Sequence, residues 1–598
     1  MIGLLFGVAF ITLLIQELFT RWKALKLREE LGLSGPPADL FFGSRRYYNK
    51  VVSEKGLEGI PHIFGELEKE YGSTYGLYLG SYLEIMTTDP HIIKEVFISQ
   101  FGNFIDRRNY GSNKVYPMLD GLLQVDHDGS YGVGWKEIRS TISVMFTSAS
   151  MKKARMCQLE CTIWMHATCH DLVDNLIDAL QEKSRVHSGR IDAYAEYQAM
   201  TMDMIARCAI GQDLSCIKDR DNDFYRCARI FFSNMRYEKT RQLGAARKWT
   251  TILAARDQAA DWNSDRVVYM EKVGTAMTIL IMIELFVMIP VVWEVLKYLR
   301  PLTTYGRAER VLTRKLSTVI KQREKDRSAG IFRKLPDVID LMLAENEKRE
   351  LNGKTPFHHD VMVSNAWALF IAGYETTSSA LSYASYLLAK HPEAHATLHE
   401  EVMSTFGSDQ TIDYERVMKL PYLHAVFSEV LRMYPPVATL TGRTCIKNTI
   451  GGFPGIISML LRETVIGGKI RVPVGVAVVA PVHTVMWSEQ HFDRPTEFCP
   501  ERFLNDKTAS AWSATYLPFG IGPRNCVGAR FAEMEFKTVL AAVIRQFAFE
   551  LDPEHTDLKT IIGNVLLSPK NDELFIRIVE RQPESDFESL KAEHVSAL

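Results

Sequence analysis

Phe519-Gly520-Ile521-Gly522-Pro523-Arg524-Asn525-Cys526-Val527-Gly528 lies near the carboxyl end of the chain, and its reading decides the rest. A cysteine thiolate can bind haem iron and push electron density onto it, which favours O–O cleavage. It does so only where the sulfur is shielded and hydrogen-bonded by nearby backbone N–H groups. Gly522 and Gly528 permit the tight turn and close backbone approach that such a cradle needs. Arg524 is suited to pairing with a haem propionate, and Phe519 to covering the proximal side. The bland alternative makes Cys526 one more small buried apolar residue. A string with five specified positions arises by chance roughly 2 times in 10,000 in a chain of this length, which disfavours that alternative.

The stretch resembles the haem-binding signature of the cytochrome P-450 family of haem-thiolate monooxygenases, and four further motifs follow that family's order. Glu429-Val430-Leu431-Arg432 with Pro500-Glu501-Arg502-Phe503 resembles its buried Glu–Arg–Arg network, here Glu429, Arg432 and Arg502. Ala372-Gly373-Tyr374-Glu375-Thr376-Thr377 resembles its oxygen-activating motif. Small residues at 372 and 373 let the helix pass close to the haem face, and a Thr376 hydroxyl bonded back to the helix can open a bulge. Glu375 and Thr376 then form an acid–alcohol pair able to relay protons to the oxygen being activated. Trp135-Lys136-Glu137-Ile138-Arg139 resembles the W-x-x-x-R of the family's helix near the propionates, and its spacing puts Trp135 and Arg139 at i and i+4 on one helix face. By the same resemblance Arg107 and Arg443 are propionate ligands, a task that suits the bidentate guanidinium fork. The local wording is most similar to the animal microsomal group that includes thromboxane synthase and drug- and steroid-oxidising forms.

The rest of the chain frames these motifs. It has 598 residues, 46% hydrophobic and 24% charged, with 70 Lys+Arg against 72 Asp+Glu. A balance so close to neutral excludes a global attraction to nucleic acid. Nine cysteines at irregular spacing, with no C-x-x-C pair, read neither as a secreted disulfide framework nor as a zinc site. Helical patterns at 62–71, 134–146, 172–183, 194–210, 307–326, 336–349, 360–389, 392–405 and 422–434, with strand-like runs at 74–79, 83–87 and 475–479, give a mainly α fold with a minor β region. Met1 to Phe19 is almost wholly apolar and is followed by Arg21, Lys23, Lys26 and Arg28. This pattern predicts a transmembrane anchor over 1–20 with the body in the cytosol, a basic and Pro-rich linker over 21–37, and one haem domain over 38–598. Thr275 to Trp293 is a second apolar run, interrupted by Glu284 and Pro290, and is expected to lie on or dip into the bilayer, with a fully buried core helix as the alternative. Three segments read as insertions, near 154–165, 236–272 and 448–462, and some are expected to be intron translated in frame.

The resemblance implies haem b held by Cys526 and electrons from NADPH delivered by a membrane-bound reductase, with cytochrome b5 as a possible second donor. It also implies a lipophilic small-molecule substrate and an endoplasmic reticulum location. Lys136, Arg530 and Lys537 are candidates for docking an acidic reductase. Two rivals stand beside this: a reductase-independent isomerase or lyase acting on a lipid peroxide, and a membrane protein inactivated by the insertions.

Overall fold

The computed structural model describes residues 2–40, parts of 43–55, 57–108, 116–146, 157–186, 188–234, 300–333, 336–407, 411–438, 441–446, 464–505, 514–563 and 566–581. The apolar run 275–293 and the suspected insertions 236–272 and 448–462 lie outside the described residues, as do the first three residues of 154–165. From Cys157 onward that last segment belongs to a continuous helix, Cys157–Val186, so the helix expected at 172–183 begins fifteen residues earlier.

The first helix, α1 (Ile2–Glu30), continues through the four basic residues before ending at a turn in which Gly32 adopts φ 67°. Its final turns dock on the body: Tyr78 Oη donates to Ala24 O at 2.8 Å and accepts from Arg28 N at 3.0 Å. Among the described residues no helix is long and apolar enough to cross a membrane, so an anchor over 1–20 is not confirmed.

Strands β1 (Thr74–Leu79) and β2 (Tyr82–Thr87) form an antiparallel hairpin. The body continues through α2 (Trp135–Phe146), α3 (Cys157–Val186), β3 (Arg190–Asp192), α4 (Ala193–Ile205), α5 (Asp223–Asn234), α6 (Thr304–Ser328), α7 (Val338–Leu351), α8 (His359–Lys390) and α9 (Pro421–Met433). Then come β4 (Thr441–Thr444), β5 (Ala477–Ala480), α10 (Ala529–Gln546), β6 (Phe547–Leu551) and β7 (Phe575–Glu580). Strand β5 pairs parallel with β2 and antiparallel with β4, which brings segments some 350–400 residues apart into one sheet. At the far side β7 pairs with both β3 and β6.

Helix α8 is the axis of the fold. It is apolar nearly all round, the pattern of a helix buried on every side, and its interior hydroxyls are satisfied locally. Ser378, Ser382 and Ser385 each donate to the carbonyl four residues earlier, at 2.7–3.0 Å. Helix α4 packs along α8 through Gly373, where a Cβ would lie 2.7 Å from the Ile205 side chain. Gly373 therefore serves a helix–helix approach. The bulge expected at Thr376 is not present, since α8 is unbroken from His359 to Lys390.

Candidate active site

The Cys526 loop is held by its own backbone. Cys526 N donates to Phe519 O at 2.8 Å and Asn525 N to Gly522 O at 3.0 Å. Gly522 has φ 79°, and a Cβ there would sit 1.9 Å from Phe97 O, so no side chain fits. Gly520 is left-handed as well, at φ 69°. Gly528 differs from expectation: its φ is −91° and nothing lies within 4 Å of a Cβ. What it contributes is a backbone N–H directed at the Cys526 sulfur. Gly522→Ala is expected to cost about 2–5 kcal/mol, combining left-handed strain with a backbone overlap. Thermal unfolding checks this, and an unchanged midpoint would contradict it.

Cys526 keeps accessible surface, yet protein surrounds it closely enough that burial is the main cause raising its thiol pKa. Both statements hold when the sulfur faces an interior space. The Gly528 N–H and the charges of Arg139 and Arg107 pull the thiol back toward ionisation, the form needed for binding a metal.

Around this space four guanidinium groups gather. Arg524 donates to Ile105 O (2.8 Å) and Val125 O (2.7 Å), and Arg107 to Leu123 O (3.0 Å) and Arg524 O (3.2 Å). Arg139, one turn beyond Trp135 on α2, donates to Asn525 O (2.7 Å) and Asn525 Oδ1 (3.0 Å). Arg443 on β4 is 1% exposed and reaches Gly442 O and Arg524 O. Burial first, then mutual repulsion, lowers Arg107 to about 10 and Arg524 to about 9, and pushes Arg443 well down. The Nε atoms of Arg443 and Arg524 are buried with no hydrogen-bond partner. Converging cations with spare donors fit a group bearing two carboxylates, which a haem with its propionates is. Trp135 lies under the Arg524 guanidinium, 5.0 Å from ring centroid to Cζ, and against Phe101. Phe519 stacks on Phe427 with centroids 6.2 Å apart.

Glu429, Arg432 and Arg502 form one network. Arg432 grips both Glu429 oxygens at 2.7 and 2.8 Å, and Arg502 Nε donates to Oε1 at 3.1 Å. Glu429 and Arg432 are wholly buried.

Between Val361 and Leu388 only Ala372, Gly373 and Thr376 are not fully buried. They share one face of α8, so this face also borders an interior space. Thr376 Oγ1 donates to Ala372 O at 2.7 Å. The acid–alcohol pair, however, is not assembled. Glu375 is 1% exposed and points to α4, where Tyr194 Oη donates to Oε1 and Gln198 Nε2 donates to Oε2 at 2.9 Å. Adjacent helical residues diverge by about 100°, so residues 375 and 376 address different neighbours.

Lys537 is corrected as a docking residue: it is fully buried, donating to Met418 O at 3.1 Å and pairing with Glu533 at 2.9 Å. Lys136 and Arg530 are exposed. Sequence reasoning missed Tyr194 and Gln198, which lie 181 and 177 residues from Glu375. It also missed Glu535 on α10, fully buried with neither carboxyl oxygen partnered.

The cytochrome P450 family model matches residues 47–576. Among curated proteins, a putative cytochrome P450 CYP13A3 of Caenorhabditis elegans is 28% identical, covering 90% of this chain and 92% of its own. Putative CYP13A7 of the same organism is 26% identical, over 90% and 93%. Cytochrome P450 3A28 of Bos taurus is 26% identical, over 94% of each. With the cysteine loop, the arginine cluster and a family match across most of its length, the chain belongs to the cytochrome P450 family and is a haem-thiolate oxidoreductase of the monooxygenase type.

Proposed function

We propose that the protein inserts one atom of O2 into a lipophilic small molecule, using NADPH-derived electrons passed on by a membrane-bound reductase, with cytochrome b5 as a second donor. The observation that carries this reading is the pair of interior surfaces. The Cys526 sulfur faces one space, and Ala372, Gly373 and Thr376 face another on an otherwise sealed helix; we take them as the two walls of one cavity. Bound between them, the haem supplies the redox chemistry that activates oxygen. Cys526 would hold the iron, and Arg107, Arg139, Arg443 and Arg524 would bind the propionates, with Trp135 beneath them. Phe519 would cover the thiolate side and the Gly528 N–H would temper the sulfur's charge.

On the other wall, Thr376 Oγ1 would exchange its bond to Ala372 O for one to the reacting oxygen and hold a proton there. Glu375 would supply that proton, and to do so must release Tyr194 or Gln198. Exposed Lys136 and Arg530 suit an acidic reductase, and an endoplasmic reticulum membrane with the body in the cytosol suits the amino-terminal pattern. Thr376→Ala is expected to leave the haem spectrum unchanged while the share of consumed NADPH that ends in product falls at least about tenfold. Unchanged coupling would remove Thr376 from the reaction.

One observation favours the second reading, a reductase-independent isomerase or lyase acting on a lipid peroxide. Such chemistry brings its own O–O bond and needs no proton relay, and Glu375 is bound to α4 rather than to Thr376. Turnover of a lipid hydroperoxide without NADPH would support it.

A further inference from the structure

Asp120 is 5% exposed, its Oδ1 has no hydrogen-bond partner, and it has no ion-pair partner among the described residues. A carboxylate withdrawn from water without a partner is costly, and such exceptions call for an explanation. On α8 the Ser364 hydroxyl is likewise buried and without a hydrogen-bond partner.

The segment carrying Asp120 is pinned to α8. Asn365 Nδ2 donates to Asp120 O at 3.2 Å, and Leu122 N donates to Asn365 Oδ1 at 2.8 Å. Between them Gly121 lies so close that a Cβ would be 3.1 Å from Ser364 O and 3.2 Å from Ala368 Cβ. Asn365 precedes Ala372 by seven residues, so it sits on the same stripe of α8, about 10 Å along the axis from the Ala372–Thr376 surface. Past Asp120 the same segment reaches Val125, whose carbonyl binds Arg524 in the cysteine loop. Asp120 thus lies on the segment that links α8 to the cysteine loop. Tyr116 and Tyr131, each 37% exposed, have phenol pKa values raised first by burial, then by Asp360 and more weakly by Asp120; Tyr131 also donates to Asp360 Oδ2 at 3.1 Å and stacks on His358. Aromatic faces near a carboxylate suit an ammonium group.

We propose that Asp120 anchors the substrate, which is a lipophilic molecule bearing a protonated amine about 16 Å from the carbon presented beside Thr376. This rests on the reading that substrate lies over Cys526. The haem-loaded full chain is titrated with two ligands of one apolar skeleton: a tertiary amine too crowded to bind iron, and the neutral compound with carbon in place of nitrogen. Soret shifts and equilibrium dialysis both report Kd. The amine should bind at least tenfold more tightly. Asp120→Asn should reduce that preference to within twofold without lowering the thermal midpoint, because it removes an unpaired buried charge. Equal binding of the two ligands by the native protein, or a preference that survives Asp120→Asn, overturns the anchor. Binding of neither overturns it together with the placement of substrate over Cys526.

Discussion

Glu429→Ala is expected to cost about 3–5 kcal/mol, because it leaves buried guanidinium charge without its partner. The Glu429 carboxylate, wholly buried, accepts from Arg432, Arg502 and the Cys499 N–H, the last at 3.0 Å. Arg432 spends its remaining donors on Met486 O, Pro495 O and Glu497 O at 2.8–3.2 Å. One carboxylate therefore ties α9 to the 486–502 loop that leads toward the Cys526 segment. Folded domains have only about 5–15 kcal/mol to lose, so much of the variant should unfold and release haem at physiological temperature. Arg502→Lys keeps the charge and should cost less, since Arg502 is only partly buried. Denaturant unfolding measures both, and a loss below about 1 kcal/mol for Glu429→Ala would show the network to be decoration.

Glu535→Gln should stabilise the protein, and the gain should grow with pH. Burial raises the Glu535 carboxyl from its ordinary 4.5 to about 8. Because the folded value lies above the unfolded one, the folded chain keeps a proton that the unfolded chain gives up. Stability is then full below pH 4.5 and is lost as pH rises toward about 8. Within that window each pH unit shifts the unfolding constant about tenfold. Glutamine cannot ionise, so the variant should match the native protein near pH 4 and surpass it increasingly to pH 8. Parallel curves of unfolding midpoint against pH for the two proteins would contradict the assignment.

Much of the helical framework was legible because its signals are local. The run 360–389 is observed as His359–Lys390, and the hairpin strand Thr74–Leu79 falls where alternation places it. Glu429 and Arg432 could be paired from their spacing alone. The carboxyl-terminal sheet could not be seen. Strand β6 starts at Phe547, directly after helix α10 ends at Gln546, with no glycine or proline between them, so no turn residue marks the change. The orientation of Glu375 was illegible for another reason. Proximity in sequence suggested Thr376, whereas burial against α4 brought Tyr194 and Gln198 from a distant part of the chain. Lys537 reads as a solvated cation on a helix, but the helix is enclosed and the ammonium is consumed by Glu533 and Met418 O.

The most direct measurement is a carbon monoxide difference spectrum of the reduced, purified full chain. A Soret band of thiolate-ligated haem is expected, and Cys526→Ala should abolish it. Absence of that band from the native protein, or its survival in Cys526→Ala, would contradict the assignment of Cys526 as the iron ligand.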